Sequence, residues 1–342
     1  MQQRLKKYTR DLSTFSAVAS RQITGTSIAL IATIHDYRIV PTSSLVRLVA
    51  GHEKNIYRQL QQLYHKGLVN RFAFMRGKNP GEFHYYLDNP EALRLLVARG
   101  ASQVDLEFDE LRRNREKRYC DVNDPKQSEE TQGRLLFLKH EVMISRFHAM
   151  LEIACMKSNG RVELTDFQQG PSLWSNVDVP KIVYRQGAWR EINEIEQLPH
   201  RPDAFFTLSF PKGSAERLHF FYEADRHRTD TNKYNRKLRA HFHFVVKQKD
   251  RLKQKYGLNR IRAVLTETID DEWAERLRGA ANHVTVSGPK ASPLFWFTTS
   301  RLFTSARSTE NSHQLTYLVK PEIIFAKIWA TPVDETLHSL IE

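Results

Sequence analysis

Pro202 and Asp203 open an apolar run, PDAFFTLSF, and the next apolar run, RLHFFYEA, ends in Glu223-Ala224-Asp225 after a turn holding Pro211, Lys212 and Gly213. Two such runs read as neighbouring strands, which would bring Asp203 and Glu223 together with Asp225 beside them. Carboxylates gathered at strand ends repel one another unless a cation lies between them, and hard oxygen ligands of this kind suit Mg²⁺ or Mn²⁺. A metal held there activates water and stabilises a phosphoryl transition state. On the residues alone a plainer reading stays open, since Pro-Asp is a common strand start and acids at strand ends are often solvated.

A second group of residues suits nucleic acid. In HEKNIYRQLQQLYHKG, Ile56, Leu60, Leu63 and Tyr64 recur at helical spacing and Gly67 stops the pattern, which leaves Lys54, Asn55, Arg58, Gln59 and Gln62 on the outer face. Asn, Gln, Arg and Lys are the side chains that reach base edges in a major groove. LVNRFAFM and EFHYYLD, joined by the polar RGKNPG, predict a hairpin with Arg71, Arg76 and Lys78 on or beside it, within reach of a flanking phosphate.

These groups need elements to position them. Residues 23 to 37 predict a first helix with Thr26 or Ser27 as N-cap, and residues 42 to 50 a short second one ended by Gly51. Helix, short helix, helix and hairpin is the order of a winged helix-turn-helix, whose last helix enters the major groove of duplex DNA. Winged helices also dock proteins, and polar outer faces are usual on helices. The charge favours DNA: 52 Lys and Arg against 39 Asp and Glu give a net +13, with the excess concentrated in the first 100 residues.

Residues 101 to 132 are densely and alternately charged with few apolar positions, and predict a solvated helix and a loop between two domains, 20 to 100 and 133 to 342. A periodic helix, RLLFLKHEVMISRFHAMLEIACMK, opens the second, followed by strand-like runs at VELTDF, KIVYRQG, DAFFTLSF, RLHFFYEA and RIRAVLTET. One long basic helix is expected between the last two, and a shorter helix, DDEWAERLRGAA, after them. The whole is expected to be α+β, its second half an α/β core. The basic residues between 226 and 262 are expected to face nucleic acid, with Phe242, Phe244 and Val245 as helix core.

Several classes of function lack support. There is no GxxxxGK[ST] loop, no GxGxxG after a strand and no GxSxG elbow. Cys120 and Cys155 cannot build a disulfide framework, and His241 and His243 point apart on a helix, which argues against zinc. No stretch reaches the roughly 18 apolar residues of a membrane span, and the N-terminus lacks the apolar core of a signal peptide, so a cytoplasmic protein without a membrane partner is expected.

PDAFFTLSF, LHFFYEADRHRTDTNKYNRKLRAHFHFV and LFWFTTSRLF resemble the corresponding blocks of the replication-relaxation family of plasmid and mobile-element proteins, over about residues 25 to 305. The resemblance implies an N-terminal winged helix and a second half similar to PD-(D/E)xK nucleases. It matches Asp203 to the PD aspartate, Glu223 to the first acid of the tripeptide and Glu141 to the occasional acid of the first helix. Where such a nuclease has lysine, this chain has Asp225, which leaves Lys233 or Lys237, an i, i+4 pair on the following helix, as substitutes.

Three readings follow. The protein is a DNA-binding factor of plasmid or mobile-element replication or transfer. Alternatively it is a metal-dependent endonuclease in which Asp203 and Glu223 hold Mg²⁺ or Mn²⁺, Asp225 assists and Lys237 replaces the absent lysine. The third is a transcriptional regulator whose second domain dimerises or senses a signal. A homodimer and contacts with replication, transfer or nuclease-complex proteins are open partners under these readings.

Overall fold

The computed structural model describes residues 23–76, 79–100, 129–185, 188–211, 216–226, 230–281, 291–302, 304–305, 317–318 and 320–342. They form an α+β protein that divides into two compact units, Met1–Ala149 and Met150–Glu342. The division falls within a long helix, α5 (Glu129–Lys157).

In the first unit the predicted order is present: α1 (Gly25–Tyr37), β1 (Ile39–Pro41), α2 (Thr42–Leu48), α3 (Glu53–His65), the hairpin β2 (Asn70–Arg76) and β3 (Asn79–Tyr86), then α4 (Pro90–Val97). Thr24, not Thr26 or Ser27, caps α1, its hydroxyl accepting the Ser27 N–H at 3.2 Å. The short strand β1 is an addition to the sequence reading. It pairs antiparallel with β3, so the hairpin becomes a three-stranded sheet in the order β1-β3-β2. No side chain of its own caps α2; the Glu82 carboxylate on β3 accepts the Ser43 N–H, so the hairpin supplies the cap. Leu30, Ile31, Ile34, Leu45, Ile56, Leu60 and Leu63 fill the core between the helices.

In the second unit, the sheet order is β14-β13-β10-β9-β8-β7-β4. β4 (Glu163–Gln169), β7 (Ala204–Ser209) and β8 (Arg217–Ala224) form an antiparallel meander; β9 (Ala263–Thr268) and β10 (Phe295–Thr299) join β8 in parallel. The short β13 (Trp329–Ala330) and β14 (Leu337–His338) close one edge, and β11 (Thr304–Ser305) pairs with β12 (Tyr317–Leu318) apart from the sheet. Both faces of the central strands are covered, which is why they read as unbroken apolar runs. Successive residues go to opposite sides: Phe205 and Phe221 pack in the cluster with Tyr234, Leu238 and Phe244, while Phe206 stacks on Phe220 at 4.9 Å.

Two features differ from the sequence reading. The single basic helix is two helices, α6 (Thr231–Phe242) and α7 (Lys249–Tyr256), separated by a π-helical turn at His243–Lys247 that buries Phe244 and Val245. Within the run KIVYRQG, residues 181–185 end a longer strand, β5 (Ser175–Arg185), and its partner β6 (Ala188–His200) goes beyond the sequence reading. Charged and polar residues dominate β6, because a two-stranded arm outside the main sheet has few positions to bury.

Candidate functional site

The face of α3 is close to the one expected. Lys54 and Arg58 are exposed, Asn55 and Gln62 half-buried, and Arg58 donates to the Asn55 side chain at 2.8 Å. Gln59 is a correction: it is buried, and its Oε1 accepts the Ser27 hydroxyl of α1 at 2.7 Å. It lies three residues after Ile56 and next to Leu60, inside the arc that α3 turns to the core. Tyr57, unremarked in the sequence, is 47% exposed and extends the face. Arg71 is engaged by its own unit, its guanidinium 4.0 Å from the Tyr64 ring centroid and 4.2 Å from that of Phe83. Lys78 and the side chain of Arg76 lie outside the described residues.

In the second unit, the antiparallel register of β7 and β8 sets the start of one strand beside the end of the other. Asp203 precedes β7, and its Oδ2 accepts the Ala224 N–H at 2.9 Å while its own N–H donates to the Tyr222 carbonyl at 3.1 Å. Glu223, 1% exposed, lies close enough to Asp203 for the neighbouring carboxylate to raise its pKa. Asp225 lies just beyond β8 and accepts the indole N–H of Trp273, from α8 (Asp271–Ala281), at 2.7 Å. The three acids thus converge at one end of the sheet. Glu141 lies in the part of the long helix that belongs to the first unit, 3.9 Å from the ring of His140.

Lys237, on α6, reaches this cluster and forms an ion pair with Glu223 Oε2. Partial burial works against its ammonium, but Glu223, Asp203 and Asp225 outweigh that and hold its pKa above the ordinary lysine value. Burial pushes the Glu223 carboxyl well above the usual range, opposed by the Lys237 charge. Lys233, one turn earlier on α6, is exposed.

Two histidines complete the surroundings of Glu223. His241 Nε2 is 2.6 Å from Glu223 Oε1, and His241 Nδ1 is 3.1 Å from Nε2 of His200, the last residue of β6. His200 Nδ1 lies 3.5 Å from the Ser175 hydroxyl at the start of β5. Both rings are fully buried. Burial, aided by the Lys237 charge, lowers the His241 pKa to about 3, and burial, aided by His241, takes His200 well below its ordinary value. The sequence held one signal for His241: it follows Lys237 by four residues, so both sit on one face of α6. His200 comes from a strand that the sequence did not reveal.

The basic residues of α6 and α7 correct another expectation, since many hold the β5–β6 arm. Arg239 donates to Glu196 at 3.0 Å and to the Pro180 carbonyl at 2.7 Å, and Arg236 pairs with Glu196 at 3.2 Å. Arg251 and Lys255 donate to the carbonyls of Asn176 and Trp174. Arg239 is buried in that joint, while Arg236 and Arg251 remain exposed beside it and Lys233, Lys247, Lys249 and Lys253 stand toward solvent.

A family model described as replication-relaxation matches residues 31–259, from α1 to the end of α7. No curated protein and no solved structure matches the chain. Among the described residues, no helix is long and apolar enough to cross a membrane.

Proposed function

This chain belongs to the replication-relaxation family, which gives it a role in the replication or relaxation of plasmids or mobile elements, and from that premise we propose that it acts there as a DNA-binding protein. The first unit, read as a winged helix over residues 20 to 100, holds duplex DNA. The observation that carries this reading is the outer face of α3, where Lys54, Asn55, Arg58 and Gln62 stand toward solvent on the last helix before a hairpin. Lysine and arginine on such a face neutralise phosphates and release counterions, so affinity falls with salt.

Residues 133 to 342 read as a nuclease-like domain joined through the charged stretch 101 to 132. One observation favours a second activity there, metal-dependent cleavage of DNA: Lys237 on α6 stands at the carboxylates, where the tripeptide itself offers Asp225. Asp203 and Glu223 suit a hard divalent cation such as Mg²⁺ or Mn²⁺, which takes one or two protein carboxylates and completes its shell with water and phosphate oxygens. Among the described residues no group of three or more His, Cys, Asp and Glu is arranged to hold a metal, so these two acids would carry it. When bound, the cation supplies an activated water and charge stabilisation. Lys237 steadies negative charge developing on the phosphate, and Asp225, held by Trp273, keeps a negative field around the lysine.

Salt-titrated binding to duplex DNA, run beside incubation with supercoiled and linear plasmid in Mg²⁺, Mn²⁺ or EDTA, tests both readings. Binding weakened by Arg58→Ala and by rising salt supports the first, and a flat salt dependence overturns it. Cutting that needs metal and disappears in Asp203→Ala supports the second; tight binding without cutting by any metal overturns it.

A further inference from the structure

Glu223 has two oxygens, and the structure gives each a different neighbour. Oε2 faces Lys237, whose side chain is partly exposed, and Oε1 faces His241, with His200 behind it and Ser175 behind that. We infer that His241, oriented by His200, is a positioning residue that holds Glu223 by one oxygen and so presents the other to Lys237 and to whatever cation or phosphate enters. The inference rests on the nuclease-like reading for the purpose of the arrangement, and on geometry alone for the arrangement itself.

The chemistry of imidazole restricts how such a chain is wired. A neutral histidine has one nitrogen that donates and one that accepts, so fixing any hydrogen bond in the series fixes all of them. If Glu223 is a carboxylate, His241 Nε2–H donates to Oε1. His241 Nδ1 must then accept, so His200 donates from Nε2–H, and His200 Nδ1 accepts the Ser175 hydroxyl. Every donor then points toward Glu223, and both rings are Nε2–H tautomers.

The alternative adds one proton to Glu223 and reverses every bond. The carboxyl then donates to His241 Nε2, each ring carries its proton on Nδ1, and His200 donates to Ser175. The two arrangements differ at all three hydrogen bonds. Packing holds the rings where the wiring requires them: His200 is stacked on Phe244 at 4.2 Å, and Phe221 meets His200 edge-on at 5.1 Å. Phe244 lies in the π-helical turn, so the break between α6 and α7 supports His200 from below. Ser175 and His200 are paired at the base of the β5–β6 arm, which joins the position of Glu223 to the arm.

Nitrogen-15 NMR of the histidine-labelled full-length protein tests the wiring without any need for activity. His241 and His200 are expected to share one tautomer, protonated at the same nitrogen on both rings, and His200→Phe, which keeps the stack on Phe244, is expected to disturb His241. Opposite tautomers on the two rings in the wild type, or a His241 signal unmoved by His200→Phe, overturn the inference. Where plasmid cutting is measurable, His241→Leu is expected to lower kcat about 10- to 100-fold with little change in KM, while His241→Gln, whose amide can still donate to Oε1, recovers part of the loss. A folded His241→Leu protein that cuts like the wild type overturns the positioning role. Failure of the wild type to cut with any metal overturns the nuclease reading alone, and the tautomers still decide the wiring.

Discussion

The outer face of α3 and the carboxylate end of the central sheet both gather polar side chains, but they treat charge in opposite ways. On α3, Lys54 and Arg58 keep their water, and each residue stands where the turn of one helix puts it. Around Glu223 the charges have lost water and are held by partners drawn from β6, β7, β8, α6 and α8. An exposed face tolerates the loss of a member, because water replaces it. A buried cluster does not, because each group is the solvation of the next.

Substitutions can break that contrast, and the largest effect is expected at the ion pair. Lys237→Met strands Glu223 with His241 and Asp203, and removing one partner of a buried pair costs about 3–5 kcal/mol. Chemical denaturation of the second unit's transition reads the loss, and a change under about 1 kcal/mol would show that the cluster is as tolerant as a surface.

The next effect is one of pH. His148, in the first unit, is buried against Tyr37 at 4.0 Å between ring centroids, and burial lowers its pKa to about 3. The unfolded chain takes up a proton near the ordinary pKa of about 6.5, while the folded chain stays neutral until about pH 3. Stability from this group is therefore complete above about 6.5 and is lost as pH falls through the window down to about 3, by about 1.4 kcal/mol per pH unit. His148→Phe is expected to remove that slope from unfolding curves recorded across the window; an unchanged slope would assign it to other groups.

A smaller loss belongs to Ser27→Ala, which leaves the buried Gln59 Oε1 without the hydroxyl that donates to it. The expected cost is about 1–3 kcal/mol, read as a lower Tm, with DNA affinity unchanged. Least disruptive to folding is Arg58→Ala, expected to stay within about 0.5 kcal/mol of wild-type stability while the salt slope of log Kd changes by about 0.9 for one lost phosphate contact. Together these two substitutions separate Gln59 from the exposed face to which sequence periodicity had assigned it.

That misplacement marks the limit of periodicity. Ile56, Leu60, Leu63 and Tyr64 announced the buried stripe of α3, but the width of the buried arc depends on how closely α1 approaches, and Gln59 falls at its edge. Asp203, Glu223 and Lys237 were legible as candidates because acids at the ends of consecutive apolar runs, and a lysine on the next helix, can meet only at one end of a sheet. His200 was not, since β6 is polar on both faces and lacks the alternation that marks a half-buried strand.

The order of residues alone was enough for the α+β class, the succession of helices and hairpin in the first unit, and the apolar strands that flank Asp203 and Glu223. Those features follow from local spacing and from burial on one face or two, which a chain carries in its own order of residues. It took the packed fold to show which polar groups are buried, that arginines of α6 and α7 hold the β5–β6 arm, and that His241 and His200 stand behind Glu223. The reason is that a desolvated charge must find its partners wherever the fold brings them: Glu223 meets Lys237 and His241, 18 residues ahead in the chain, and His241 in turn needs His200, 41 residues back.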